Sequence, residues 1–208
     1  MPCKKAETAT IQNRYNRLAP FFDVMEAALE WAFFKRWREI LWSRVQGPKI
    51  LEVGVGTGKN FACYPPGSEI VAVDFSEKML QRARQKSIAR GIAVELQLMD
   101  VQQLAFADDS FDTVVASFVF CSVPDPLQGL RELYRVCKPG GKLVLLEHVL
   151  SSRPLLARLM NFLNPLVVSM VGANINRKTL ETVRQSGFHS LEIDPVSGDI
   201  VKLFTASK

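Results

Sequence analysis

From residue 49 onward, short apolar runs alternate with amphipathic stretches, and a longer stretch of helical periodicity precedes them. Met25, Ala28, Leu29, Ala32, Phe33, Trp37, Ile40 and Leu41 recur at steps of three and four, the spacing of one helix face. Residues 1–46 are therefore predicted to be a helical cap on the unit formed by 47–208. Lys49–Val53, Glu69–Asp74, Val94–Met99, Phe111–Ser117, Lys142–Glu147, Phe188–Ile193 and Ile200–Ala206 have the length and pattern of strands. Helices are expected between them. Ser76 can cap one that runs to Arg90 and stops at Gly91, and Asp125-Pro126 opens another that ends near Cys137. A third is expected from Asn176 to Gly187. Pro139-Gly140-Gly141 reads as a turn into the fifth strand. Strands and helices that alternate in this way predict an α/β fold, a doubly wound, mostly parallel seven-stranded sheet with helices on both faces.

With 208 residues, 48% apolar and 23% charged, the chain suits one such unit. The most apolar stretch, Pro154–Val171, is interrupted by Arg158, Asn161, Asn164 and Pro165, which argues against a membrane span. Met1-Pro2-Cys3-Lys4-Lys5 does not read as a signal peptide. Cysteines 3, 63, 121 and 137 have no metal-ligand spacing, so no metal is expected, and reduced thiols in a cytoplasmic protein are. The net charge of +5 is unevenly placed. No acidic residue lies between Glu147 and Glu181, while Arg153, Arg158, Arg177 and Lys178 flank an apolar run. That pattern suits the surface of a membrane, the inner one for a cytoplasmic protein, better than a nucleic-acid groove.

The chemistry concentrates after the first strand, in Glu52-Val53-Gly54-Val55-Gly56-Thr57-Gly58. Glycines there let the backbone turn tightly and approach a ligand at the carboxyl end of the sheet. A P-loop is excluded, because its first glycine would fall at Val53 and its hydroxyl at Asn60. A dinucleotide loop is disfavoured, because the third glycine arrives one residue early. The remaining ligand is S-adenosylmethionine (SAM), which is cationic and carries no pyrophosphate; the Glu52 carboxylate suits it and would repel phosphate. Asp74, 20 residues after Gly54 at the end of the second strand, stands where a ribose diol is gripped.

Glu52–Gly58 resembles the first motif of the class I SAM-dependent methyltransferases, and Asp74 their acidic ribose residue. Met99-Asp100 is similar to the third-strand end that meets the adenine, and Asp109-Ser110-Phe111-Asp112 and Lys138-Pro139-Gly140-Gly141 resemble later motifs. The resemblance covers about residues 48–150 and implies a Rossmann-like fold and SAM as methyl donor, with S-adenosylhomocysteine as product. The expected cofactor site is Glu52, Gly54, Gly56, Thr57, Gly58, Asp74, Phe75, Met79, Asp100, Val101, Ser117 and Phe118.

The acceptor is less legible. Tyr15-Asn-Arg-Leu-Ala-Pro-Phe-Phe-Asp23 resembles a segment of the bacterial phosphatidylethanolamine N-methyltransferases and of the quinone-biosynthesis C-methyltransferases. The resemblance implies that this segment folds over the cofactor with Tyr15 near the methyl group, although Phe22 replaces the usual second tyrosine. Both acceptors are amphiphiles, in keeping with an Arg153, Arg158 and Arg177 set able to pair with lipid phosphate. His148, just past the fifth strand, is the titratable group best placed for proton transfer. The expected function is methylation of phosphatidylethanolamine; a quinone precursor, another small molecule, and a SAM-binding protein without turnover stand as alternatives.

Overall fold

A computed structural model describes residues 2–208, with the side chains of residues 2–6, 25, 26, 28, 29, 31 and 171 left out. Two helices come first, α1 (Pro2–Leu29) and α2 (Lys35–Trp42), joined by a π-helical turn, Glu30–Phe34. Then follow β1 (Lys49–Val53), a 3₁₀ turn (Lys59–Cys63), β2 (Glu69–Asp74), α3 (Glu77–Arg90), β3 (Glu95–Leu98) and β4 (Phe111–Ser117). The chain ends with α4 (Pro126–Val136), β5 (Cys137–His148), α5 (Pro154–Val171), α6 (Thr179–Gln185), β6 (His189–Ser197) and β7 (Val201–Ser207). Of the predicted stripe, Met25, Ala28 and Leu29 lie outside the described side chains.

The seven strands run in the order β3-β2-β1-β4-β5-β7-β6. The first five in that order are parallel, and β7 pairs antiparallel with both β5 and β6. This is the doubly wound, mostly parallel arrangement that the sequence predicts, with β1 and β4 at its centre. Period-two alternation divides the core in two. Leu51, Val53, Val114, Ala116, Leu143 and Leu145 face one cluster with Leu130 and Leu133 of α4. Ile50, Val115, Val144 and Leu146 face the other, closed by Leu41 and Trp42 of α2. Glu52 shares the parity of Ile50, so its carboxylate enters the layer beneath α2.

Several local expectations hold. The Ser76 hydroxyl accepts from Met79 N at 3.2 Å, and Gly91 closes α3 with φ +62°. Asp125 caps α4 by accepting from Gln128 N, with Pro126 in the first turn. Several boundaries shift, that of β6 among them, which runs on to Ser197. Strand β5 already begins at Cys137, and Pro139-Gly140-Gly141 lies within it, where the register with β4 jumps from Phe111–Cys137 to Thr113–Lys142. Helix α6 starts after Lys178 and has no side-chain cap, while the Asn176 side-chain amide donates to Asn161 Oδ1 at 2.9 Å instead of capping it. The third strand is shorter than predicted, Glu95–Leu98.

Candidate functional site

The carboxyl ends of β3, β2, β1 and β4 open into a cavity with about 930 Å³ of atom-free space, part of it continuous with solvent. Gly54 and Gly56 form its floor with φ of +67° and +56°. A Cβ built on Gly54 would stand 2.4 Å from Val119, so that glycine is required by close packing. A Cβ on Gly56 would meet no atom within 4 Å. The space above Gly56 is therefore free for a ligand.

Asp74 ends β2 almost wholly buried. Its Oδ2 accepts from Gly56 N and its Oδ1 from Ser76 N, each at 2.8 Å. Burial pushes its carboxyl up to about 6 against those backbone donors. Each oxygen keeps a further lone pair, which fits a diol donor. Asp100, beyond β3, accepts from Gln102 N at 2.9 Å and from the Gln102 amide. Asp74 and Asp100 line the cavity with Gly54, Gly56, Thr57, Phe75, Met79, Val101, Ser117 and Phe118. Phe118 has φ +56°, a backbone conformation uncommon outside glycine, immediately after β4.

Two predicted cofactor residues lie elsewhere. Glu52 is fully buried and is not among the cavity-lining residues. Its Oε1 accepts from Asn60 Nδ2 at 2.6 Å and its Oε2 from the Tyr64 hydroxyl. Burial pushes its carboxyl up to about 7, opposed by those two donors. Gly58, with φ +74°, caps the 3₁₀ turn, and a Cβ there would collide with the Phe61 ring at 2.4 Å.

The N-terminal helix lies across the cavity and contributes Thr8, Tyr15 and Phe22 to its wall. Polar contacts fasten it along its length. Gln12 donates to the carbonyl of Phe75, Asn16 Oδ1 meets Ser76 Oγ at 2.7 Å, and Thr57 Oγ1 donates to Asp23 at 2.6 Å. The Tyr15 hydroxyl is 2.7 Å from Ser122 Oγ, and its ring stands edge-on to Phe75.

His148 does not line the cavity. Its ring packs 4.8 Å behind that of Phe118, and burial holds its imidazole below the ordinary value. Of the three arginines, Arg153 and Arg158 are exposed. Arg177 is turned inward and donates to the Val123 carbonyl at 2.8 Å. Cys121 is buried, its thiol pushed up to about 12 by burial and by Glu147, too high for a nucleophile.

Sequence reasoning missed a polar network behind Gly54. Arg38, on α2, is 7% exposed and lines the cavity with Asn60. Its Nη1 reaches Asn60 Oδ1 at 3.2 Å and Ser117 Oγ at 3.4 Å, while Nε and Nη2 pair with Glu30. Glu147 was also missed. It is buried, and its Oε1 accepts from Val119 N and Phe120 N, fixing the loop after β4. A carboxylate ending the apolar run of β5 was the available signal, the same one that marked Asp74.

A family model described as a methyltransferase domain matches residues 51–145. A phosphatidylethanolamine N-methyltransferase from Cereibacter sphaeroides is 43% identical over 105 residues, half of this chain and 52% of that protein. The chain thus aligns with only about half the length of that relative. A ubiquinone/menaquinone biosynthesis C-methyltransferase from Geotalea daltonii is 33% identical over 171 residues, 78% of this chain and 73% of that one. A SAM-dependent methyltransferase of Thermotoga maritima, described as a possible histamine N-methyltransferase, shares the fold with a TM-score of 0.74 at 21% identity. It covers 94% of this chain and 99% of that one. Glycine loop, strand-end carboxylates, sheet order and these similarities agree: the chain belongs to the SAM-dependent methyltransferases.

Proposed function

We propose that this methyltransferase acts on a membrane-associated amphiphile, phosphatidylethanolamine in the first place. The observation that carries this reading is the face of α5. Leu155, Leu159, Phe162, Leu166 and Met170 are all more than half exposed on it, beside the exposed Arg153 and Arg158. Scattered exposed apolar side chains are ordinary, but a run of them on one helix marks a contact surface. Basic residues next to it favour anionic lipid. No helix among the described residues is long and apolar enough to cross a membrane, so the contact we propose is peripheral, at the inner face.

SAM supplies a methyl group on a sulfonium, which an acceptor takes by direct displacement, so the protein's work is alignment. Asp74 would hold the ribose diol and Asp100 the adenine amine, with Gly54 and Gly56 giving backbone approach and Thr57, Phe75, Met79, Val101, Ser117 and Phe118 the walls. Glu52 would act from behind by orienting Asn60, and Gly58 by shaping the turn. Residues 1–46 would be the cap, with the Tyr15 hydroxyl as the cap's polar group at the acceptor. His148 would support the Phe118 ring as a neutral imidazole rather than touch the acceptor. Arg153 and Arg158 would meet lipid phosphate, and Arg177 would hold the 119–125 loop.

A second reading, C-methylation of a quinone precursor, is favoured by the longer alignment with the Geotalea daltonii relative. Parallel assays with phosphatidylethanolamine vesicles and with a demethylated quinol separate the two. Monomethylated phosphatidylethanolamine by mass spectrometry supports the first reading, and methylated quinol alone overturns it.

A further inference from the structure

The turn after β4 carries Ser122, whose Oγ lies 2.7 Å from the Tyr15 hydroxyl, and both residues line the cavity. Phe118 opens that turn with φ +56°, a backbone state that persists only where its surroundings enforce it. The enforcement comes from behind. Glu147 Oε1 accepts from Val119 N at 2.8 Å and from Phe120 N at 2.9 Å. Ser122 N donates in turn to the Val119 carbonyl at 2.9 Å. Asn174 donates to the Cys121 carbonyl and Arg177 to that of Val123. Asn174 carries no charge and Arg177 keeps its own, whereas Glu147 can change. Its Oε2 has no hydrogen-bond partner among the described residues, so that oxygen can take a proton while Oε1 goes on accepting. Burial pushes the carboxyl up to about 7, against the backbone donors.

We propose that Glu147 is a positioning residue for methyl transfer, its negative charge holding the turn that sets Ser122 against Tyr15. The proposal rests on the reading of Tyr15 as the cap's polar group at the acceptor. Backbone N–H groups bind a carboxylate more strongly than a neutral carbonyl. Protonation of Glu147 therefore loosens the turn and lets the Tyr15 hydroxyl stray from the acceptor. Asp74 and Asp100, at the ends of β2 and β3, are held by other partners, so cofactor binding does not follow the Glu147 charge. Around Glu147 stand the Cys121 thiol, Arg177 with Glu7 and Asp125 acting on it, Lys202 opposite in register on β7, and His148, the next residue. All of them are shared by wild type and Glu147→Gln, so their own titrations cancel when the two are compared.

Glu147→Gln keeps the size and an acceptor oxygen and removes the charge, so it stands for the protonated glutamate at every pH. The first measurement is the backbone amide shifts of Val119 and Phe120 by NMR, which need no turnover. In wild type they should titrate with a midpoint of about 7, and in Glu147→Gln they should stay flat there. The second is transfer of labelled methyl from SAM into all products of a total membrane lipid extract, which does not require the acceptor to be known. The ratio of wild-type to variant turnover, in which the acceptor's own titration cancels, should rise from near parity on the acid side to about tenfold on the alkaline side, the scale for exchanging a charged for a neutral hydrogen-bond acceptor. S-adenosylhomocysteine affinity should be equal in the two proteins. Added to Tyr15→Phe, the same change should produce no pH-dependent ratio, because the turn then has no hydroxyl to place. Val119 and Phe120 amides that do not titrate, or a ratio that is the same at every pH, overturn the proposal. So does a cofactor affinity that falls together with turnover, which would mark Glu147 as a strut of the fold. Full turnover in Tyr15→Phe alone would instead remove the reading of Tyr15 on which the proposal rests.

Discussion

Oδ2 of Asp74 accepts the backbone N–H of Gly56 at 2.8 Å, so the carboxylate that ends β2 is tied to the glycine loop that follows β1. A ligand held by one is placed against the other. Asp74→Ala is therefore expected to weaken SAM binding by about 1–3 kcal/mol, the cost of losing hydrogen bonds to a charged acceptor, as read by calorimetry. Binding should also depend on pH. Diol donors favour the carboxylate, so wild-type affinity should fall as pH drops through about 6, and Asp74→Ala should be flat there. In the ligand-free protein the sign is opposite. The folded state holds this proton more tightly than the unfolded chain does, so Asp74's contribution to stability is lost as pH rises through about 6. Unchanged affinity in a folded Asp74→Ala would take this residue out of the site.

The two loop glycines should fail in different ways. Gly56→Val places its side chain where no protein atom lies within 4 Å. The variant should fold, at a cost of about 1–3 kcal/mol for a left-handed backbone on a branched residue, and should bind no S-adenosylhomocysteine. Gly54→Ala meets Val119 at 2.4 Å and should show its damage in the melting temperature first. Normal cofactor binding by Gly56→Val would show that the loop does not carry the ligand.

Tyr15 and His148 are separated by their positions. Tyr15 lines the cavity and bonds Ser122, whereas His148 stands one ring behind it. Tyr15→Phe should lower kcat at least tenfold, a modest share of what a positioned proton-transfer group contributes, with S-adenosylhomocysteine affinity unchanged. His148→Phe keeps a ring against Phe118 and should retain most of the turnover. A dead His148→Phe with intact cofactor affinity would reverse the two assignments.

The apolar face of α5 should bind vesicles by attraction as well as burial. Each basic side chain near an anionic surface contributes about 1 kcal/mol. Arg153→Gln with Arg158→Gln should therefore reduce partitioning roughly 30-fold at low salt. The difference should shrink near 1 M salt, where the Debye length falls to about 3 Å. Flotation that is equal on neutral and anionic vesicles, or unaffected by the double change, would make α5 a contact for something other than lipid.

The strands were legible because each is a short apolar run with its own turn residues. Asp74 was marked because a carboxylate that ends such a run needs a partner, and Asp100 by its resemblance to the family's third-strand end; both line the cavity. The same reasoning marked Glu52 and misjudged its direction. Its parity with Ile50 sends it under α2, to Asn60 and Tyr64, and parity has no meaning until the helix above is known. Arg38 was hidden for a related reason. It looks like the polar face of an amphipathic helix, and its contacts to Asn60 and Ser117 cross 22 and 79 residues. Strand β5 was shortened because a proline and two glycines ordinarily end an element, whereas here they sit at a change of register.

The most direct test of the account is transfer of labelled methyl from SAM into a total membrane lipid extract, with the products separated by chromatography and Asp74→Ala run in parallel. The account predicts label in N-methylated phosphatidylethanolamine, sharply reduced in the variant. Label confined to the quinone fraction, or to water-soluble products, would contradict it.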